Sequence, residues 1–177
     1  MISFEINSSI ITNKDDFTKL INLLSNQIKI YNIKLLYIAK RDGLKLDNLK
    51  EKINNKSNLL FLFLIGDTRI FGLYIKVKVE VKHDSYVRDE NAFVFSLNNN
   101  KIYKILEPQY SMRFFHNGCP ILIGNTDARN GFWFYSDKLI CDNLLKTPKI
   151  YDFQKEDELA EGKNNLSELE IFEMNFN

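Results

Sequence analysis

Two cysteines and two histidines in 177 residues leave little material for several kinds of chemistry. Cys119 and Cys141 have no Cys-x-x-Cys spacing and no histidine cluster beside them, which excludes a zinc site of the usual donor pattern. His83 and His116 have neither a Gly-x-Ser-x-Gly elbow nor a cysteine context from which a His-dependent triad is built. The seven glycines include no Gly-Lys-Ser/Thr and no G-x-G-x-x-G arrangement, so the turn between Gly124 and Gly131 offers no phosphate cradle. Charge of one sign is missing as well: 24 basic residues against 23 acidic ones leave +1, which gives no global field for nucleic acid or acidic lipid. No apolar run approaches the roughly 18–20 residues that span a bilayer, the longest being Leu59 to Ile65. The N-terminal Met1 to Ile6 lacks the basic and long apolar regions of a secretory signal. These absences predict a cytoplasmic chain with reduced thiols, no transmembrane segment, no catalytic residue, no metal and no cofactor.

What is present is an ordinary globular composition, 45% hydrophobic and 27% charged, at a length that fits one domain over residues 1–177. Thr12 to Asp16 supplies capping residues, and Phe17, Leu20, Ile21, Leu24 and Ile28 recur at helical spacing, which predicts a helix over about 13–28. Ile33 to Ala39 has no helical stripe and ends at Asp42-Gly43, which reads as a strand running into a tight turn. Leu46, Leu49 and Ile53, with Asp47 as the cap, predict a second, shorter helix. From Leu59 onward the pattern turns to period two and short apolar runs, as in a predominantly antiparallel sheet. Leu59 to Ile65 is apolar on both faces and so reads as a central strand. Arg69 to Lys82 reads as one long strand with a wet face carrying Lys76, Lys78 and Lys82. Asn98-Asn99-Asn100 joins two strands as a hairpin. Further strands fit Tyr110–Phe115, Ile121–Ile123 and Gly131–Tyr135. A long surface loop is expected over about 144–165, before a closing strand over about 166–174 that ties the chain end into the sheet.

Each residue able to carry chemistry also has a plainer reading. His83 beside Asp84 reads as solvated loop and His116 beside Asn117-Gly118 as a turn residue. Cys119 and Cys141 are either core cysteines, the reading adopted, or redox sensors if cations stabilise their thiolates. Arg41-Asp42-Gly43 is a turn first and a charge pair displayed to a partner second. Glu168 and Glu170 share one face of a strand, a spacing open to acid–base work or cation binding, with a solvated strand face the preferred reading. Asp89-Glu90 is equally open. The aromatic block Phe132 to Tyr135, between Arg129 and Lys138, would stack nucleobases or fill a core; without a basic stripe the core reading prevails.

The order of these landmarks carries more than any one of them. A leading helix, Leu35-Leu36-Tyr37, Arg41-Asp42-Gly43, a short helix, the apolar strand to Ile65, Ile70-Phe71-Gly72, the block Asp89 to Leu97, Gly131 to Phe134 and Leu169 to Phe172 succeed one another in a pattern that resembles the TLDc domain. The resemblance covers about Ser9 to Glu173. Two departures stand out: Ile121 to Gly124 keeps one glycine where relatives often carry two or three, and Leu73-Tyr74 replaces the small residues usual after Phe-Gly. The resemblance implies an α+β fold, a two-sheet antiparallel β-sandwich flanked by a few helices, without an established catalytic centre. It further implies links to oxidative-stress resistance and to the vacuolar proton pump, the V-ATPase, as protein partner. Arg41, Asp42, Gly43, Glu90, Gly124, Gly131, Glu168 and Glu170 match family positions; the glycines would serve backbone geometry, and the acidic residues would hold loops or meet a partner. The expected function is therefore a non-catalytic protein-interaction domain, in the cytoplasm or on a membrane-bound or cytoskeletal complex. The alternatives are a structural or adaptor subunit of another large assembly, cytoskeletal or ciliary, and a redox-active enzyme using Cys119 and Cys141.

Overall fold

A computed structural model describes residues 6–29, 32–125, 130–135, 140–143, 150–153 and 163–175. Helix α1 (Lys14–Ser25) begins where the sequence places its cap: the Asn13 side chain accepts from the Asp16 N–H at 2.8 Å. Leu20, Leu23 and Leu24 form its buried face, and the helix ends at Asn26, slightly short of the expected end at 28. After β1 (Asn32–Ile38) comes a single helical turn, α2 (Ala39–Asp42), where a plain tight turn was expected. Helix α3 (Leu46–Ile53) buries Leu46, Leu49 and Ile53, the expected stripe.

The remainder is strand: β2 (Leu59–Ile65), β3 (Arg69–Ile75), β4 (Ser85–Val87), β5 (Phe93–Ser96), β6 (Lys101–Lys104), β7 (Met112–His116), β8 (Cys119–Asn125), β9 (Asn130–Phe134), β10 (Ile140–Asn143) and β11 (Lys163–Asn175). They form two antiparallel sheets, one in the order β1-β11-β2-β3-β5-β6 and the other β4-β7-β8-β9-β10. Strand β11 serves both: Lys163 to Asn165 pair with β10, and Leu166 to Glu173 pair with β2. This is the α+β sandwich expected from the sequence.

Two cores lie on opposite faces of the first sheet. Leu59, Phe61, Phe63 and Ile65 point between the sheets, whereas Leu60 and Leu62 point toward α1. The doubly apolar reading of this strand follows from that position, since each of its faces is covered. Between the sheets the Phe63 ring stands 4.4 Å from Phe134, and Phe71 stands 4.9 Å from Phe132, centroid to centroid. The aromatic block is thus core at Phe132 and Phe134.

Phe71-Gly72 has a steric explanation. Phe71 enters the inter-sheet core, and the bare Gly72 lets the Phe95 ring pack close against β3 in the core that α1 covers. A Cβ at Gly72 would sit 2.3 Å from that ring and 2.6 Å from the Phe61 carbonyl oxygen.

Two expectations need correction. The strand expected over Arg69 to Lys82 ends at Ile75. Val79 and Val81 are buried and Lys76, Lys78 and Lys82 exposed, so the alternation is real, but this stretch is held by the α3–β2 loop instead of a strand. The Asn55 N–H donates to the Val79 carbonyl at 2.9 Å, the Val79 N–H to the Lys56 carbonyl at 2.8 Å, and the Val81 N–H to the Asn54 side chain at 2.9 Å. The interval 144–165 is likewise not surface throughout. Ile150, Tyr151 and Phe153 are buried, and the closing strand starts at Lys163 because it first pairs with β10. Residues 144–149 and 154–162 of that interval lie outside the described residues. No helix among the described residues is long and apolar enough to cross a membrane.

Candidate functional site

Many of the residues singled out from the sequence gather into three hydrogen-bonded knots and one groove. The first knot surrounds Arg41-Asp42-Gly43. Asp42 folds back so that its Oδ2 accepts from the Ile38 N–H at 2.9 Å, while Glu168 on β11 accepts from the Lys40 N–H at 3.1 Å and from the Leu169 N–H at 3.0 Å. Two carboxylates thus serve the backbone donors at the start of α2, which is why the chain makes a helical turn there. Arg41 grips Asp42 with Nε at 2.9 Å and a terminal nitrogen at 2.7 Å. That contact, and next the Ile38 N–H, hold the Asp42 carboxyl below its ordinary range against the opposing effect of burial. Tyr37 donates to the Gly43 carbonyl at 2.9 Å, and Asn48 donates to the Asp42 and Gly43 carbonyls at 2.6 and 3.0 Å. Burial, then the charges of Asp42 and Glu168, push the Tyr37 phenol up, so it stays a donor. Gly43 has φ +81°, and a Cβ there would meet the Asn48 amide at 2.8 Å.

The second knot is Glu170, fully buried on β11. It accepts from the Ser8 hydroxyl at 2.5 Å, the Ser9 N–H at 2.6 Å and the Ser9 hydroxyl at 2.8 Å. The Ser8 oxygen in turn accepts from the N–H groups of Ile10 and Ile11 at 3.0 and 2.9 Å. Glu168 is also buried, so the solvated strand face preferred for this pair is corrected: both carboxylates point into the protein and are stabilised by donors from distant segments.

The third knot centres on Asp89, which the sequence left undistinguished. Its side chain accepts from the Lys76 N–H at 2.5 Å, the Val77 N–H at 3.3 Å and the Asn91 N–H at 2.9 Å. Ser111 accepts from the Asp89 N–H at 3.2 Å, and Tyr151 donates to the Ser111 carbonyl at 2.8 Å. By taking the Lys76 and Val77 donors, Asp89 ends β3.

Glu90, its neighbour, does the opposite and points out. It pairs with Arg88 at 3.4 Å, and both side chains are largely exposed. It lines an open groove of about 420 Å³ where the end of α1, the end of β3, the start of β5 and the end of β6 meet. Ile28, Tyr74, Phe93 and Ile105 contribute apolar lining, and Lys29, Lys76 and Lys104 are basic residues of the same wall.

Gly124 and Gly131 are cross-strand partners in the β8–β9 ladder, and Gly124 adopts φ +112°. The eight positions thus occupy separate places: the first knot takes Arg41, Asp42, Gly43 and Glu168, and Glu170, Glu90 and the glycine pair stand apart from it. Compared with protein-family models, residues 5–175 match the model of the TLDc domain. The chain belongs to the TLDc family. A comparison with curated proteins finds no match.

In this TLDc domain the thiol of Cys119 is buried, and burial pushes it up to about 11. The Cys141 side chain lies outside the described residues. His116 closes the β7–β8 hairpin, its Nδ1 accepting from the N–H groups of Gly118 and Cys119 at 3.0 and 3.2 Å, and His83 stands 6.5 Å away, ring to ring. Among the described residues no group of three or more His, Cys, Asp or Glu side chains is placed to hold a metal ion. A surface cluster the sequence did not signal lies on β4 and β7. There Arg113 pairs with Asp84 and lies between the Tyr86 and Phe115 rings, at 4.7 and 4.5 Å from their centroids.

Proposed function

We propose that this TLDc domain is a non-catalytic protein-interaction module that binds the V-ATPase and takes part in resistance to oxidative stress. Family membership over nearly the whole chain supports the partner. The observation that carries the non-catalytic reading is the use of the buried and half-buried carboxylates. Asp42, Asp89, Glu168 and Glu170 each accept from backbone N–H groups, so the groups most able to act as acid or base serve the fold. A direct redox role through Cys119 is disfavoured on the same physical grounds, because a buried thiol held near 11 is protonated at neutral pH and a thiolate is the reactive species. Stress resistance would then follow from the partner.

The test is capture of partners from native cell lysate on the immobilised full chain, with ATP and with ADP, read by mass spectrometry. Enrichment of V-ATPase subunits is the expected result. Enrichment of another assembly in their place would move the assignment to an adaptor role, and loss of peroxide resistance on replacing both cysteines with serine would reinstate direct redox chemistry.

A further inference from the structure

We propose that the groove between the end of α1 and the β6 edge binds an acidic peptide segment of a protein partner, through carboxylates that meet Lys29, Lys76 and Lys104 and an apolar side chain that packs on Ile28 and Ile105. The inference rests on the protein-interaction reading and names the surface and the chemistry of the partner.

Shape comes first. At about 420 Å³ the groove has room for several side chains, and it is open along the surface, as suits a peptide better than an enclosed small molecule. The lining is the second argument. An apolar strip with lysines around it matches a segment that alternates acidic and apolar residues. Among the described residues, no carboxylate lies within ion-pairing distance of Lys29, Lys76 or Lys104. The charges in the groove are therefore available to a ligand. The third argument is the kind of cation. Lysine ammonium groups on flexible stems act as point charges and adapt to carboxylates at varied positions, while the planar fork of arginine, suited to phosphate, is not part of the lining. The chain's net charge of +1 also disfavours nucleic acid as the occupant. Glu90 opposes an acidic ligand within the same groove, so removing its charge strengthens binding.

The probe is a fluorescein-labelled synthetic peptide, Gly-Glu-Glu-Leu-Glu-Phe-Glu-Gly, titrated with the full chain by fluorescence anisotropy. The same peptide with glutamine for glutamate, and a single-stranded oligothymidylate, serve as controls. The glutamate peptide is expected to bind; Lys76→Glu with Lys104→Glu should weaken it about tenfold or more, and Glu90→Gln should tighten it about twofold. Binding should also fall as salt rises from about 50 to 300 mM. The gain with Glu90→Gln cannot come from misfolding, and circular dichroism with thermal unfolding checks the lysine variants. No binding of the glutamate peptide, equal affinity for the glutamine peptide, an unaffected lysine double variant, or oligothymidylate competing as well as the peptide would each overturn the proposal. Capture of V-ATPase subunits that survives the lysine double variant would remove the groove and leave the partner standing. Peptide binding without captured pump subunits would do the reverse.

Discussion

Arg41 and Asp42 share one contact with unequal consequences. The Arg41 side chain is 54% exposed, so solvent screens the pair and the pair itself adds little to stability. Asp42 also supplies the acceptor for the Ile38 N–H, a hydrogen bond to a charged group of the kind that contributes roughly 1.5–3 kcal/mol. Asp42→Ala should therefore lower stability by about 1.5–3 kcal/mol and Arg41→Ala by clearly less, measured by urea denaturation. Equal losses would mean that the pair, and not the backbone contact, holds the turn. The lowered Asp42 carboxyl fixes the sign of a pH effect. Its stabilisation is present above the unfolded-state value and disappears as pH falls through the lower folded value. In Asp42→Asn the acid limb of a stability–pH curve should be shallower than in the parent chain.

Elements differ in where their instructions lie. Helix α1 carries its own cap and stripe, and β2 its own doubly apolar run, so both are legible locally. Helix α3 shows its stripe locally, but its first turn is served from elsewhere: the Leu46 N–H donates to the Asn117 side chain at 3.0 Å, from the β7–β8 hairpin. The sequence points instead to Asp47, which lies inside the first turn. Asn117→Ala should cost about 1 kcal/mol and raise amide exchange in α3 before other elements. The same distance in sequence hides the roles of Glu168 and Glu170, whose donors outside β11 lie 128 and 161 or more residues away. Asp89 is hidden for another reason, since an acidic residue beside Glu90 in a polar stretch gives no sign of which of the two is buried. Gly72, by contrast, is conspicuous in sequence for a reason only packing supplies. Gly72→Ala should destabilise by about 3 kcal/mol or more in thermal or denaturant unfolding, because the Phe61 carbonyl blocks the new methyl even if Phe95 moves. Recovery of full stability by Phe95→Ala in that background would show that the ring alone was the obstacle.

At the scale of the molecule, Glu170 joins the segment before α1 to the strand shared by both sheets. Glu170→Ala leaves the Ser8 and Ser9 donors without their acceptor and opens a cavity beside them, with an expected cost of about 3 kcal/mol. Glu170→Gln should be intermediate. The Ser8 oxygen already accepts two N–H groups, so an amide NH₂ facing it finds no free acceptor. A fully stable glutamine variant in calorimetry would mean that the carboxylate fills space and that its hydrogen bonds contribute little.

Strand β11 carries one further consequence, for synthesis. Each of β1, β2 and β10 needs it as a neighbour, yet it follows all of them along the chain. While the ribosome is still adding residues before Lys163, β2 lacks one of its two flanking strands and both sheets end on unsatisfied edges beside aromatic surface. A nascent TLDc domain of this kind can close only after β11 has left the exit tunnel, so the interval before β11 emerges is the period when it most needs a chaperone.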